Sequence, residues 1–256
     1  EKLPEHGCLG CDGRTIHVAE GKEFQEILKK KSGSLKCQKD LVGSIWEDRP
    51  EMSKEAVYLL DTKYAGKSRE EKIAEVRAAM KKTGANVHLI SSMDDIVWLL
   101  NIRGNDIVCN PVVMSYVMMN METVNFYVQE EAVPKEVKEA LEKAGVVLCP
   151  YFQVYEDVKE LKETDKIMVE DVCTNFTLYE NIPQHTEVIF EKNPAAVLKG
   201  NKNPVEQENI RIAHIKDAKA MCRFIYWLKK NVGTSEITEY SAAQKSEAFR
   251  REDEDC

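Results

Sequence analysis

Cys8 and Cys11 form a C-x-x-C pair, the spacing of half a zinc site or of a dithiol. The sequence holds neither a second C-x-x-C nor an H-x-x-x-H that would complete four ligands. Gly7, Gly10 and Gly13 interleave with the pair and predict a loop, whereas a thioredoxin-like redox pair opens a helix after a strand, so no chemistry is expected of it. The same glycines miss the dinucleotide spacing G-x-G-x-x-G and follow no apolar strand, which argues against a phosphate cradle. The histidines, His6, His17, His88, His185 and His214, never fall three or four residues apart, so no helix face presents two of them to a metal. His88, set among apolar neighbours, reads as a hydrogen-bonded core residue, and His214 with Asp217 as a surface contact on a helix. Neither a G-x-S-x-G elbow nor a P-loop lysine motif is present.

Asp94 and Asp95 are adjacent, and adjacent helical residues point in different directions. They read as an N-terminal cap ahead of Ile96-Val97-Trp98-Leu99-Leu100 rather than as paired catalytic carboxylates. More informative is Asn101-Ile102-Arg103-Gly104-Asn105-Asp106, a dense polar loop between two apolar elements, because polar loops on a rigid scaffold are where binding groups gather. Its plainer use is a surface ion pair from Arg103 to Asp106, worth little.

The elements that must position this loop follow from pattern. With 256 residues, 43% of them hydrophobic, the chain has material for a large folded core. Its 36 Lys and Arg against 44 Asp and Glu leave a net charge of −8, which repels phosphate backbones and anionic lipid, so nucleic acid is not an expected partner. No apolar run reaches the roughly 18 residues of a membrane span. Eight cysteines scattered through so long a chain, Cys256 the last of them, read as reduced thiols of a cytoplasmic protein. The start at Glu1, without Met or a signal core, reads as a processed or excised piece.

Residues 1–46 predict a short α/β unit with a helix over 23–31 closed by Lys30-Lys31-Ser32-Gly33 and a strand near Leu35. A polar hinge follows at 48–53. From there the pattern predicts a strand at Val57–Leu60, a helix capped by Ser68 and Glu71 with Ile73, Val76 and Met80 inward and Gly84 at its end, and a strand at Val87–Ile90 lying parallel to the first through a right-handed crossover. Then come an antiparallel hairpin over 115–128, a helix from Pro134 with Val137 and Leu141 inward, and strands at 146–148, 166–171 and 187–190. Residues 191–203 read as a linker. Helices over 205–230 and 235–252 follow, the first with Ile210, Ala213, Ala220, Phe224 and Leu228 along it.

The run Asp94 to Ile107, followed by Asn110-Pro111-Val112, resembles the middle domain of the three-domain Xaa-Pro aminopeptidases. Upstream, Asp40 to Pro50 resembles the exit from their first, creatinase-type domain. Downstream, Lys202 to Glu206, Ile210 to Ala218 and Ser241 to Arg251 resemble the first two helices of their pita-bread catalytic domain. One departure is local: Cys109 stands where the family usually carries an aromatic residue. The resemblance implies an α/β fold with a mixed sheet flanked by helices, of the creatinase amino-terminal, RNase H-like type. It divides the chain into the end of the first domain (1–52), the middle domain (53–197) and the truncated start of the pita-bread domain (198–256). It also implies a homodimeric cytoplasmic hydrolase acting on peptides with proline at the second position through two divalent metal ions, commonly manganese. The family's metal ligands have no counterpart in this chain, so the implied catalytic residues here are none and the chain by itself is expected to be inactive. Arg103, Asn105 and Asp106 are the implied lining of a substrate entrance, where a fixed guanidinium can hold a peptide carboxylate or carbonyl. The alternative is a stand-alone, non-enzymatic binding or scaffold module descended from the same family.

Overall fold

The computed structural model describes residues 3–253; Cys256, counted above among the thiols, lies outside them. Along the chain run β1 (Cys8–Gly10), α1 (Val18–Lys29), β2 (Ser34–Lys36), β3 (Tyr58–Leu59), α2 (Thr62–Ala65), α3 (Arg69–Thr83), β4 (Val87–Ile90), α4 (Met93–Leu99), β5 (Ile102–Arg103), β6 (Tyr116–Asn120) and β7 (Val124–Val128). They continue as α5 (Lys135–Lys143), β8 (Val146–Pro150), α6 (Val154–Asp157), β9 (Lys166–Val169), α7 (Phe176–Glu180), β10 (Glu187–Phe190), α8 (Pro194–Gly200), α9 (Pro204–Asn231) and α10 (Glu239–Arg250). The chain divides into two compact units. One runs up to Thr62 and takes in Lys67–Asn201; the other joins Lys63–Gly66 to the residues from Lys202 onward.

The first unit is built on a mixed sheet of order β10-β9-β4-β6-β7-β8. β4 pairs parallel with β9 and antiparallel with β6, the hairpin β6–β7 is antiparallel, and β8 returns parallel to β7. Period-two alternation sends neighbouring side chains to opposite faces. Val124, Phe126, Val128 and Met168 enter one apolar cluster, while Val87, Leu89, Tyr127, Ile167 and Val169 enter another. Because helices cover both faces, β4 is buried at every position and reads as an apolar run interrupted by His88.

Helix signals account for most boundaries. In α3, Ser68 accepts from the Glu71 amide at 3.2 Å while Glu71 accepts from the Ser68 amide at 2.7 Å, Ile73, Val76 and Met80 are buried, and Gly84 closes the helix in the left-handed conformation at φ +81°. The turn between β6 and β7 is held by Asn120 Oδ1, which accepts from the Glu122 and Thr123 amides at 2.8 and 2.7 Å.

Five expectations are corrected. β3 does not run parallel to β4; it pairs antiparallel with β5 in a separate two-stranded sheet, Tyr58 opposite Arg103 and Leu59 opposite Ile102. Helical spacing cannot tell which later strand an early one will meet. The glycine-rich start contains β1, parallel to β2 with Cys8 opposite Ser34, so Cys8 sits on a strand and not in a loop. α1 begins at Val18 rather than near 23, because His17 and Glu20 close a reciprocal capping box there; Gly21, in the first turn, lies so close to the Phe176 ring that a Cβ there would stand 2.2 Å from it. At its end the left-handed residue is Ser32, φ +53°, rather than Gly33. The segment 191–203 holds α8, where Asn193 caps the helix and Pro194 opens it; proline at the first helical position looks like a breaker in sequence and acts as a starter in structure.

In the second unit α9 is capped reciprocally by Asn203 and Glu206, and Asn203 Nδ2 also donates to the Ala65 carbonyl at 2.8 Å. α10 starts at Glu239 behind the Thr238 cap, four residues later than its apolar pattern suggests. It packs on α9 through Arg250 Nε to Asp217 Oδ1 at 2.6 Å and an Arg223–Glu252 ion pair. Along α9 only Ala220 is buried among the described residues, while Ile210, Ile215 and Ile225 are exposed.

Candidate functional site

The loop Asn101–Asp106 rests on a buried lysine. Lys72 projects from the inner face of α3, 1% exposed, and its Nζ donates to the Trp98 carbonyl at 2.9 Å and to Asn101 Oδ1 at 2.7 Å, lying 4.2 Å from the Trp98 ring centroid. Asn101 is itself buried and left-handed at φ +50°, a conformation asparagine tolerates better than most residues. Its Nδ2 donates to the Lys67 carbonyl at 2.8 Å, and its carbonyl accepts the Leu60 amide at 2.9 Å. A cation, a carboxamide and three stretches of backbone thereby set the exit angle of the chain from α4 into β5.

Beyond that base the loop folds onto the segment 111–114. Gly104 is buried against Val113 and Val112, where a Cβ would stand 2.7 Å from Val113 Cγ2. Arg103 is half-buried, and its Nη1 donates to the carbonyls of Val97 and Ile102 at 3.1 and 2.7 Å. Asp106 accepts the Met114 amide at 2.6 Å on Oδ2, while its Oδ1 is shielded from solvent without a hydrogen-bond partner among the described residues. The Arg103–Asp106 ion pair suggested by the sequence is thus replaced by two separate tethers to backbone. Asn105 is exposed, as are Ile107, Val108 and Cys109, the last left-handed at φ +62°. The structure therefore brings Arg103, Asn105 and Asp106 into one loop with different duties: Arg103 and Asp106 anchor it, and Asn105 stands on its open side.

A second buried network lies at the start of α4. Asp95 does not cap that helix; Ser92 occupies the cap position, and Asp95 is buried, with Oδ1 paired to Lys199 Nζ at 2.8 Å and Oδ2 accepting from Asn193 Nδ2 at 2.8 Å. Asn193 Oδ1 faces His88 Nε2 at 3.0 Å and accepts the Ala195 amide at 3.0 Å, while His88 Nδ1 faces the Met168 carbonyl at 3.0 Å. His88 is the buried, hydrogen-bonded core residue expected of it. Complete burial pulls its imidazolium below the ordinary histidine range, against the opposing pull of the two oxygens and of Glu170 and Asp95. His214 and Asp217 are used separately, His214 Nδ1 toward the Ile210 carbonyl at 2.9 Å and Asp217 toward Arg250.

Cys8 is exposed on β1, whereas Cys11, one residue past the end of that strand, has its sulfur 3.2 Å from that of Cys37. The C-x-x-C spacing hid this partner. The signal that could have found it is the constant offset of 26 between the paired strands, carried one residue past Gly10 and Lys36. Lys72 and Asn193 were also missed: a lysine on an apolar helix face reads as surface, and an Asn-Pro pair reads as linker.

Residues 48–206 match the family model of the creatinase/prolidase N-terminal domain. The chain belongs to that family. It is similar to Xaa-Pro aminopeptidase 1 of Dictyostelium discoideum, 32% identical over 266 residues that take in 99% of this chain and 42% of the relative. A probable Xaa-Pro aminopeptidase P of Aspergillus niger is 34% identical over 254 residues, covering 94% of this chain and 41% of its own length. Among solved structures, the X-prolyl aminopeptidase of Caenorhabditis elegans, described as a cytosolic enzyme with a di-nuclear active site, superposes with a TM-score of 0.91 at 25% identity over 98% of this chain and 42% of that one. A Bacillus anthracis Xaa-Pro dipeptidase, TM-score 0.52 at 18% identity, shares the fold. This creatinase/prolidase-family chain therefore has the mixed, helix-flanked sheet of the aminopeptidase P amino-terminal region and spans about 42% of the length of such relatives.

A di-nuclear centre requires clustered carboxylates and histidines. Among the described residues no group of three or more His, Cys, Asp or Glu could hold a metal ion. These described residues do not fit the implied metals. No helix of the described residues is long and apolar enough to cross a membrane.

Proposed function

We propose that this chain is the non-catalytic amino-terminal and middle region of an Xaa-Pro aminopeptidase, which removes the residue ahead of a proline from peptide amino termini. The observation that carries this reading is the likeness to the Caenorhabditis elegans X-prolyl aminopeptidase over 98% of this chain but 42% of that one, with no metal-holding group among the described residues. Residues 1–52 are the end of a first creatinase-type domain, 53–197 a middle domain, and 198–256 the opening of a pita-bread domain. Hydrolysis then belongs to residues this chain does not contribute, with two divalent metals, manganese by preference, in a cytoplasmic homodimer. The chain alone is inactive.

Within that enzyme the loop Arg103–Asp106 lines the substrate entrance. Arg103 and Asp106 hold its base through the backbone contacts to Val97, Ile102 and Met114, and Asn105 offers a carboxamide that can bond peptide backbone in either sense.

The test is the mass of the native protein, probed with an antibody against residues 53–197. A species more than twice the 29.2 kDa of this chain, whose immunoprecipitate cleaves Xaa-Pro peptides in a chelator-sensitive way, is expected. A single species at 29.2 kDa without that activity overturns the proposal.

A further inference from the structure

We propose that Cys11 and Cys37 are a redox-active dithiol, a modification site at which a peroxide converts the two thiols into an intramolecular disulfide. The inference is independent of the catalytic reading above. β1 and β2 are parallel, Gly10 opposite Lys36, and each strand is followed immediately by a cysteine. The Cys11 amide donates to the Lys36 carbonyl at 3.0 Å and the Gly13 amide to the Cys37 carbonyl at 3.0 Å, so both strand ends are clamped where the cysteines stand. Neighbouring strands lie about 4.8 Å apart, inside the roughly 4.4–6.8 Å window between α-carbons that a disulfide spans. With the sulfurs 3.2 Å apart, only a sub-ångström swing of each side chain separates contact from bond.

The two sulfurs differ in exposure. Cys37 borders a cavity of about 480 Å³ shared with Arg14, Asp40, Tyr155 and Thr177, and Cys11 is partly open to solvent. Burial, the contact with Cys11 and the nearby carboxylates of Glu180 and Asp12 push the Cys37 thiol up to about 12, so at neutral pH it stays protonated. Cys11, the more exposed sulfur, is the one an oxidant meets first. Its thiolate attacks one peroxide oxygen, the O–O bond breaks, and the departing hydroxide takes up a proton as water, leaving a sulfenic acid on Cys11. The Cys37 sulfur then attacks that sulfenic sulfur; the S–O bond breaks, and the hydroxide leaves as water with the Cys37 proton. Two thiols have lost two electrons and two protons, and the peroxide has become two waters. Cys8, whose side chain turns to the Leu9 carbonyl at 3.9 Å, takes no part.

The disulfide would staple the ends of β1 and β2 together. It would also fix the turn that carries Asp12, whose carboxylate, with that of Asp40, grips Arg14 at 2.7 and 3.1 Å.

The test uses the whole 256-residue chain carrying Cys8→Ser, an exposed position whose change leaves the fold intact. The chain is treated with hydrogen peroxide, blocked with N-ethylmaleimide and digested with trypsin. The expected product is a covalent pair of the peptides Leu3–Arg14 and Cys37–Lys39, two hydrogens lighter than their sum, formed in more than half of the chains before Cys173 or Cys222 is oxidised. It is reversed by dithiothreitol, and it raises Tm by a few degrees, a rise absent from Cys11→Ser. Three results overturn the proposal: Cys11 advancing to sulfinic acid while Cys37 remains alkylated, linkage only between separate chains, or both cysteines fully alkylated after the surface thiols have reacted.

Discussion

Asn193 and His88 stand 105 residues apart in sequence and meet at 3.0 Å, the carboxamide oxygen against imidazole Nε2. Two further bonds fix which way Asn193 points, because its Oδ1 also accepts the Ala195 amide and its Nδ2 must donate to Asp95. One side chain thus caps α8, seats the β4 histidine and satisfies a buried carboxylate.

Replacing Asn193 with Ala strands three buried polar groups at once. Leaving such groups unpaired costs about 3 kcal/mol in folding stability. Urea unfolding monitored by circular dichroism reads the loss directly, and a change below about 1 kcal/mol contradicts the network's importance.

Acid should weaken the fold through His88. Its folded pKa is depressed from the ordinary 6.5, so between the two values the unfolded chain binds a proton that the folded chain refuses. The stability His88 contributes is therefore complete above about pH 6.5 and is lost as pH falls below it. Melting at about pH 5.5 occurs at lower temperature than at about pH 7.5, and in His88→Gln this difference shrinks. An unchanged difference in the variant would assign the acid sensitivity elsewhere.

Lys72→Met keeps an unbranched stem one atom shorter than lysine and removes the donors to Trp98 and Asn101. The expected cost is about 2 kcal/mol, part of the lost bonding being offset by easier burial of an apolar chain. Because Asn101 sets the exit into β5, limited proteolysis between Asn105 and Cys109 should accelerate in this variant more than cleavage elsewhere. Uniform acceleration would show that Lys72 stabilises the unit without positioning the loop.

Gly21→Ala places a methyl group against the Phe176 ring, with nothing flexible to yield. Overpacking of this kind costs about 2 kcal/mol even though alanine is the better helix former. Phe176→Leu in the same chain should recover part of the loss, measurable as a rise in Tm over the single variant.

In the longer enzyme proposed above, Arg103→Ala should lower kcat/KM for Xaa-Pro peptides about tenfold, roughly 1.4 kcal/mol, with the melting curve little changed. Asn105→Ala, on the exposed side of the loop, should raise KM more than it lowers kcat. Unaltered kinetics in both variants remove the loop from the substrate path.

Local chemistry was written in the order of residues. Ser68 with Glu71, Gly84, the β6–β7 hairpin and the apolar strands are decided within a few positions, since caps, turns and period-two alternation are short-range effects, and each stands where its pattern places it. The motif around Asn101–Asp106 was legible too, as a polar run between apolar elements. Pairing across distance was not. That β3 meets β5, that Asp95 joins Lys199 and Asn193, that Lys72 supports Asn101, and that Cys11 faces Cys37 instead of Cys8 depend on which surfaces the assembled sheet and helices bring together. Burying polar groups costs free energy unless each finds a partner, and here the partners are remote in sequence, so only the tertiary structure supplies them.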